Sequence, residues 1–255
     1  MTGLNLQLAG KRALVTGGSR GVGAATVRLL ARAGADVGIS YHSRADDARR
    51  VVEEARAMGV RSWAVGGNLA ERGAADALFK RVDTEFGGLD IFVGNAGIWP
   101  VADVPFAKME DEQWHRTLAV NLDSIFFTTR AALQRMSDDG RVILVSSTAG
   151  QRGEAYHGDY AATKGAIISM VKGLCVEVGR RGITVNAVAP GWIDTEMSEA
   201  ALQGPDRAAI DAAIPLGRVA SADDVAGPIV LLCSPLARHI TGEIVNVNGG
   251  SVLVG

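Results

Sequence analysis

Three features of the sequence predict an α/β fold, a single doubly wound domain with a parallel sheet of about seven strands and helices on both faces. Short apolar runs alternate with helical patterns from one end of the chain to the other. The first run ends in a glycine-rich turn that opens a helix. The length, 255 residues, suits one such domain and would cramp two.

The elements follow in order. Residues 12–16 form a short buried-strand run and 21–33 continue at helical spacing. Residues 36–41, 60–66, 89–93, 141–146, 183–189 and 243–247 read as the remaining strands. Between them, 44–58, 71–86, 111–136, 159–179 and 221–232 read as helices, the fourth strand being followed by one long helix. Right-handed crossovers then place helices on both sheet faces and ligands at the carboxyl ends of the strands. Residues 192–214, which include Gly204-Pro205, fit no regular element and read as a mobile insertion that covers the ligand crevice as a lid.

Composition excludes several functions. With 47% apolar and 21% charged residues the chain can bury a large core. A net charge of −2 argues against nucleic acid and anionic membranes as partners. No apolar stretch approaches the roughly 18 residues of a membrane helix, and the first eleven residues do not resemble a signal peptide. Cys175 and Cys233 form no disulfide framework, so reduced thiols in a cytoplasmic protein are expected. His42, His115, His157 and His239 lack ligand spacing, so no catalytic metal is expected.

Two motifs carry chemistry. The turn Thr16-Gly17-Gly18-Ser19-Arg20-Gly21-Val22-Gly23 offers close backbone approach and a helix N-terminus, which together suit a phosphate. Tyr160 and Lys164 stand four apart at the start of a helix, on one face. The ammonium is expected to lower the phenol's pKa and make Tyr160 a general acid/base. The strand before them ends at Ser146-Ser147, where a hydroxyl can hydrogen-bond a carbonyl oxygen.

From about Leu8 onward the chain resembles the short-chain dehydrogenase/reductase family in its compact form. The resemblance rests on the glycine turn, Asn95-Ala96-Gly97, Asn121, Ser147, Tyr160-x-x-x-Lys164 and Pro190-Gly191, taken together and in that order. It implies a Rossmann-type domain and hydride transfer between a nicotinamide and a carbonyl or secondary alcohol. Tyr160 would exchange the proton, Lys164 would lower its pKa and bind the ribose, and Ser147 would hold the carbonyl. Asn121 would anchor a water linked to Lys164. Gly17, Ser19, Gly21, Val22 and Gly23 would frame the pyrophosphate. Asn68 and Leu69 would meet the adenine, and Asn95, Ala96 and Gly97 would line the cofactor. Pro190, Gly191, Ile193 and Thr195 would flank the nicotinamide. Three positions depart from the family pattern, namely Gly94, Asn68 and Asn248, and none removes a reacting group.

The second strand ends at Ser40-Tyr41-His42-Ser43-Arg44 with no carboxylate to bind ribose hydroxyls. Arg20, His42, Ser43 and Arg44 therefore suit a 2′-phosphate, and NADP(H) is expected over NAD(H). Trp99, Tyr156 and Trp192 fall near the crevice and suit an apolar ketone or alcohol. Trp63 and Trp114 read as packing residues. The stretch 165–176 is apolar around most of its circumference, so one face is expected to meet another subunit, and the resemblance points to a homotetramer, a homodimer being the smaller alternative. Rival readings are a catalytically silent NAD(P)-binding sensor and an NAD-dependent alcohol dehydrogenase of the same family. The sequence leaves substrate and direction open.

Overall fold

The structure is a computed structural model that describes residues 6–202 and 207–253. Its sheet holds β1 (Arg12–Val15), β2 (Asp36–Tyr41), β3 (Ser62–Gly66), β4 (Leu89–Gly94), β5 (Met136–Val145), β6 (Thr184–Pro190) and β7 (Ile244–Val247). All neighbouring pairs are parallel, in the order β3-β2-β1-β4-β5-β6-β7. The helices are α1 (Gly21–Arg32), α2 (Ala45–Ala57), α3 (Arg72–Phe86), α4 (Asp111–Leu118), α5 (Ser124–Leu133), α6 (Thr148–Arg152), α7 (Gly158–Val178), α8 (Glu199–Leu202), α9 (Arg207–Ala213) and α10 (Ala222–Cys233).

The pleat sends alternate side chains to two cores. Ala13 and Val15 of β1 pack with α1, α2 and α10, whereas Leu14 packs with α3, α5 and α7 on the opposite face. These strands are apolar on both sides because both faces are covered. The strand order reverses between β1 and β4, so the turns that follow them diverge and leave a crevice. The glycine turn and Asn95-Ala96-Gly97 stand on its two sides.

Two boundaries differ from the sequence expectation. The single helix over 111–136 is two helices, α4 and α5, joined by a wide turn of π type at Ala119–Asp123. Such an inserted residue costs regular hydrogen bonding and redirects a side chain, here Asn121, which is fully buried. The helical pattern also overruns its end: Met136 already pairs with Leu89, and the register then slips so that Arg141 pairs with Ile91. Periodicity cannot separate a helix end from an apolar residue that begins a strand.

The expected insertion folds into α8, α9 and a small satellite core. Leu202, Ile214 and Val219 cluster there with Trp192 and Ile210, apart from the two main cores. Gly204-Pro205 lies outside the described residues. Among the described residues no helix is long and apolar enough to cross a membrane.

The end of the sheet away from the crevice is held by Arg12. Its backbone N–H, Nε and Nη2 donate to Asp90 at 2.9, 2.7 and 3.0 Å, and Nη2 also reaches the Ser137 hydroxyl at 2.8 Å. Burial alone would raise the Asp90 carboxyl, but the bonds from Arg12 outweigh it and hold the carboxyl below its ordinary range. A depressed carboxyl stabilises the fold above its unfolded pKa, and the contribution is lost as pH falls through the folded value. Asp90→Asn should therefore lower stability at pH 7 by about 1–2 kcal/mol. The deficit should fade in acid, as read from denaturation midpoints across pH.

Candidate active site

The crevice is a cleft of about 690 Å³ at the carboxyl ends of β1, β2, β4, β5 and β6. One end of it is backbone. Gly17 has a positive φ of 65°, and a Cβ there would come within 3.0 Å of the Ala96 backbone. A Cβ on Gly23 would stand 2.1 Å from the Gly17 carbonyl oxygen, so only glycine fits. Arg20 caps α1 with extended backbone and no side-chain cap bond, and Gly21, Val22 and Gly23 of the first turn line the cleft. Amides left without a cap at a helix N-terminus suit a phosphate. Backbone cradle, volume and helix end together fit a dinucleotide.

Thr16 joins the two sides. Its hydroxyl oxygen accepts from the amides of Asn95 and Ala96 at 3.0 and 3.1 Å, while Asn95 Nδ2 donates to the carbonyls of Thr16 and Gly17. The Ser40 hydroxyl accepts from the Gly17 amide at 3.2 Å. Sequence reasoning gave the Thr16 and Ser40 hydroxyls no role, although both stand at the crevice ends of their strands. Asn68 accepts from the Ala70 amide and donates to Glu71, which fixes the turn before α3. Leu69, His42 and Ser43 line the same end of the cleft. Tyr41 lies over Gly66, whose added Cβ would meet its ring at 2.9 Å.

At the other end stand the reacting side chains. Ser147 caps α6 by accepting from the Ala149 amide at 3.1 Å. Ser147 and Tyr160 line the cleft together, and the Ser147 hydroxyl favours the ionised form of the phenol. Lys164 Nζ donates to the Val145 carbonyl at 2.9 Å and sits 5.5 Å from the centre of the Tyr160 ring. The Ser146 hydroxyl donates to the Lys164 carbonyl at 2.8 Å, so it ties strand to helix rather than facing the cleft chemistry. Pro190, Gly191, Ile193 and Thr195 line the side of the cleft after β6.

One expectation is corrected. Lys164 does not lower the Tyr160 pKa in this arrangement. Burial penalises the phenolate and pushes Tyr160 up to about 12, although the Ser147 bond acts the other way. Burial also pushes Lys164 down to about 8. Lys164 is buried, Tyr160 is half-buried in the cleft wall, and the ammonium stands over the Tyr160 ring. Near neutral pH the phenol therefore holds its proton.

The Asn121 side chain holds the loop after β4. Its Oδ1 accepts from the Ile98 amide at 2.7 Å and its Nδ2 donates to the Ile98 carbonyl at 2.9 Å. The side chain is a strut for the loop after Gly97. At the departures from the family pattern, a Cβ on Gly94 would meet Leu144 at 2.8 Å, and Asn248 bonds Val252 and Gly250 to close the C-terminal turn.

Trp99 and Trp192 form an aromatic wall. Trp99 stands edge-on to Tyr160 with ring centres 4.7 Å apart and meets Trp192 at 6.3 Å. Tyr156 does not join them. The helix begins two residues later at Gly158, and Tyr156 has left-handed backbone and an exposed ring that does not line the cleft. A spacing of four residues implies a shared face only inside a helix. Sequence reasoning missed Arg116, Arg152, Glu154 and Glu196, all of which line the cleft. Arg152 pairs with Glu154 at 2.9 Å, and Glu196 pairs with both Arg20 and Arg44. No spacing motif marks them, because they stand on separate elements that only the fold brings together. Among the described residues no cluster of His, Cys, Asp and Glu is placed to hold a metal ion.

A doubly wound sheet with a glycine cradle at one end of its crevice and a Ser-Tyr-Lys set at the other defines a nicotinamide-dependent class of oxidoreductases. Comparison with known proteins agrees. A family model described as enoyl-(acyl carrier protein) reductase matches residues 17–251. The 3-oxoacyl-(acyl-carrier-protein) reductase FabG of Vibrio cholerae is 39% identical over 98% of this chain and 100% of that protein. The Escherichia coli FabG is 38% identical over 96% of this chain and 98% of its own length. Among solved structures, a short chain dehydrogenase from Burkholderia cenocepacia in complex with NADP has a TM-score of 0.91 at 37% identity, covering 96% of this chain and 99% of that one. A blue fluorescent protein from a metagenomic library in complex with NADPH has a TM-score of 0.92 at 36% identity, covering 98% and 100%. The chain belongs to the short-chain dehydrogenase/reductase family and is an oxidoreductase.

The buried ammonium has a thermodynamic signature. Between about pH 8 and the ordinary 10.5 of a lysine, the unfolded chain holds a proton that folded Lys164 has released. Stability rises with pH across that window. Lys164→Met should thus stabilise the protein at pH 7 by about 2 kcal/mol, after allowing for the lost bond to Val145. The gain should shrink toward pH 10.5, as read from thermal midpoints of both proteins.

Proposed function

We propose that the protein is an NADP(H)-dependent carbonyl reductase. The observation that carries the reading is the set formed by Ser147, Tyr160 and Lys164, which line the cleft together at the end of β5 and the start of α7, opposite the glycine cradle. NADP(H) as cofactor is supported by Arg20 and Arg44 in the cleft, by the missing carboxylate at the end of β2, and by the NADP-bound and NADPH-bound relatives. The nicotinamide supplies the hydride.

The chain's residues do the rest. Ser147 and Tyr160 donate hydrogen bonds to the substrate carbonyl oxygen and polarise it. Tyr160 then gives its proton to the oxygen as charge develops there. A phenol that keeps its proton at neutral pH is the form that reduction consumes. Lys164 binds the ribose hydroxyls and adds positive charge near the developing oxyanion. The glycine cradle, Asn95, Ala96 and Gly97 orient the cofactor, and Pro190, Gly191, Ile193 and Thr195 flank its ring. Residues 192–214 act as the substrate lid, supported by their separate small core.

The wall of Trp99 and Trp192 suits a carbonyl carried on an apolar body. The FabG relatives support 3-oxoacyl thioesters as one class to test. Self-association completes the reading. The outer face of α7 leaves Val176 79% exposed, and Phe126 on α5 is 46% exposed, so both present apolar surface to a second copy.

A panel of ketones and 3-oxoacyl thioesters, followed at the reduced-nicotinamide absorbance, should show a higher kcat/KM with NADPH than with NADH. Turnover with NADH equal to or above that with NADPH contradicts the cofactor reading. Tyr160→Phe should lower kcat by a factor of about 10²–10⁴ while NADPH still binds. Unchanged turnover in this variant would favour a binding-only sensor. Light scattering at micromolar concentration should give a mass above that of one chain, and a monomeric mass removes the assembly from the reading.

A further inference from the structure

Glu196 has no part in the chemistry above, yet it occupies the two arginines that the proposed cofactor reading needs. Arg44 Nη2 donates to Glu196 Oε2 at 2.7 Å, and Arg20 Nη1 bonds the same oxygen. One carboxylate oxygen thus bridges guanidinium groups from two separate loops, the glycine turn and the end of β2. A phosphate oxygen would be held in the same way. The three side chains are 47% to 50% exposed, so only their charges hold them together.

Glu196 belongs to the start of the lid, between β6 and α8. The lid lies against the cradle there: Thr195 Cγ2 is 3.4 Å from the position of a Cβ on Gly21. On its other flank the Asp194 amide donates to the Ala220 carbonyl at 2.8 Å. The pairing with Arg20 and Arg44 therefore spans the mouth of the cleft and ties the lid to the cofactor end.

We propose that Glu196 is a resident occupant of the 2′-phosphate site, displaced by NADP(H) and left in place by NAD(H), so that recognition of that phosphate unlatches the lid. This rests on the reading of Arg20 and Arg44 as the phosphate ligands. A 2′-phosphate brings up to two negative charges and three acceptor oxygens against one carboxylate. It wins both guanidinium groups, and the displaced Glu196 returns to solvent at little cost. A cofactor without that phosphate offers the arginines nothing and leaves the latch closed. The latch lowers apparent NADPH affinity by the fraction of molecules in which it is open.

Binding is to be measured by titration with NADPH, NADH and adenosine 2′,5′-bisphosphate, on the unaltered protein, on Glu196→Ala and on the double variant Arg20→Ala/Arg44→Ala. Glu196→Ala should bind NADPH and the bisphosphate about 3- to 10-fold more tightly, with NADH changed less than twofold. Amide exchange over residues 195–198 should speed up when the unaltered protein binds the bisphosphate, and Glu196→Ala should exchange at the faster rate without it. The proposal falls if Glu196→Ala binds NADPH no more tightly, if NADH gains equally, or if the bisphosphate leaves exchange unchanged. The double variant separates the two ideas. A loss of NADPH affinity of about tenfold or more keeps the arginines as phosphate ligands whatever Glu196 does. Unchanged NADPH affinity in the double variant overturns both.

Discussion

The Thr16 hydroxyl is the fixed point on which the cleft depends. It directly follows β1 and receives the amides of Asn95 and Ala96, which directly follow β4. The strand order reverses between these two strands, so their following turns would otherwise diverge without contact. Asn95 returns the bond to the carbonyls of Thr16 and Gly17. Two loops with no shared core become one rigid rim, and the backbone cradle inherits its geometry from that rim.

A second constraint acts at the reacting end, where burial decides protonation. The same enclosure that keeps the phenol neutral also weakens the ammonium below it. The Glu154 carboxylate adds to the rise at Tyr160, whereas burial alone lowers Lys164. Their states follow mainly from the depth at which they sit between β5, α6 and α7. The fold thus sets acid-base character through packing as much as through charge.

Much of this was legible in the sequence. Strand runs, the glycine turn and the pair Tyr160 and Lys164 obey short periods, and short periods are what local sequence records. The helix break at Ala119–Asp123 was not, because Asn121 is helical in pattern and is displaced only by its tertiary bonds to Ile98. Tyr156 misled for a related reason. It stands four residues before Tyr160 and was expected at the crevice, but the helix has not yet begun there. Glu196 was invisible because its partners lie 152 and 176 residues away, in loops that only the fold brings together. The protonation of Tyr160 depends on depth, which a residue's neighbours in sequence do not report.

The crossing of α6 and α7 has one more consequence. A Cβ on Gly150 would come within 2.5 Å of the Lys164 carbonyl carbon, so the two helices meet backbone to backbone. Ser147 and Lys164 are then parts of one unit, with no side-chain cushion between them to absorb change. Substitutions are tolerated unequally as a result. Drift on the α6–α7 side disrupts the reacting groups at once. The satellite core around Leu202, Ile214 and Val219 can be rebuilt without touching them, which leaves that half of the cleft as the place where new specificities arise.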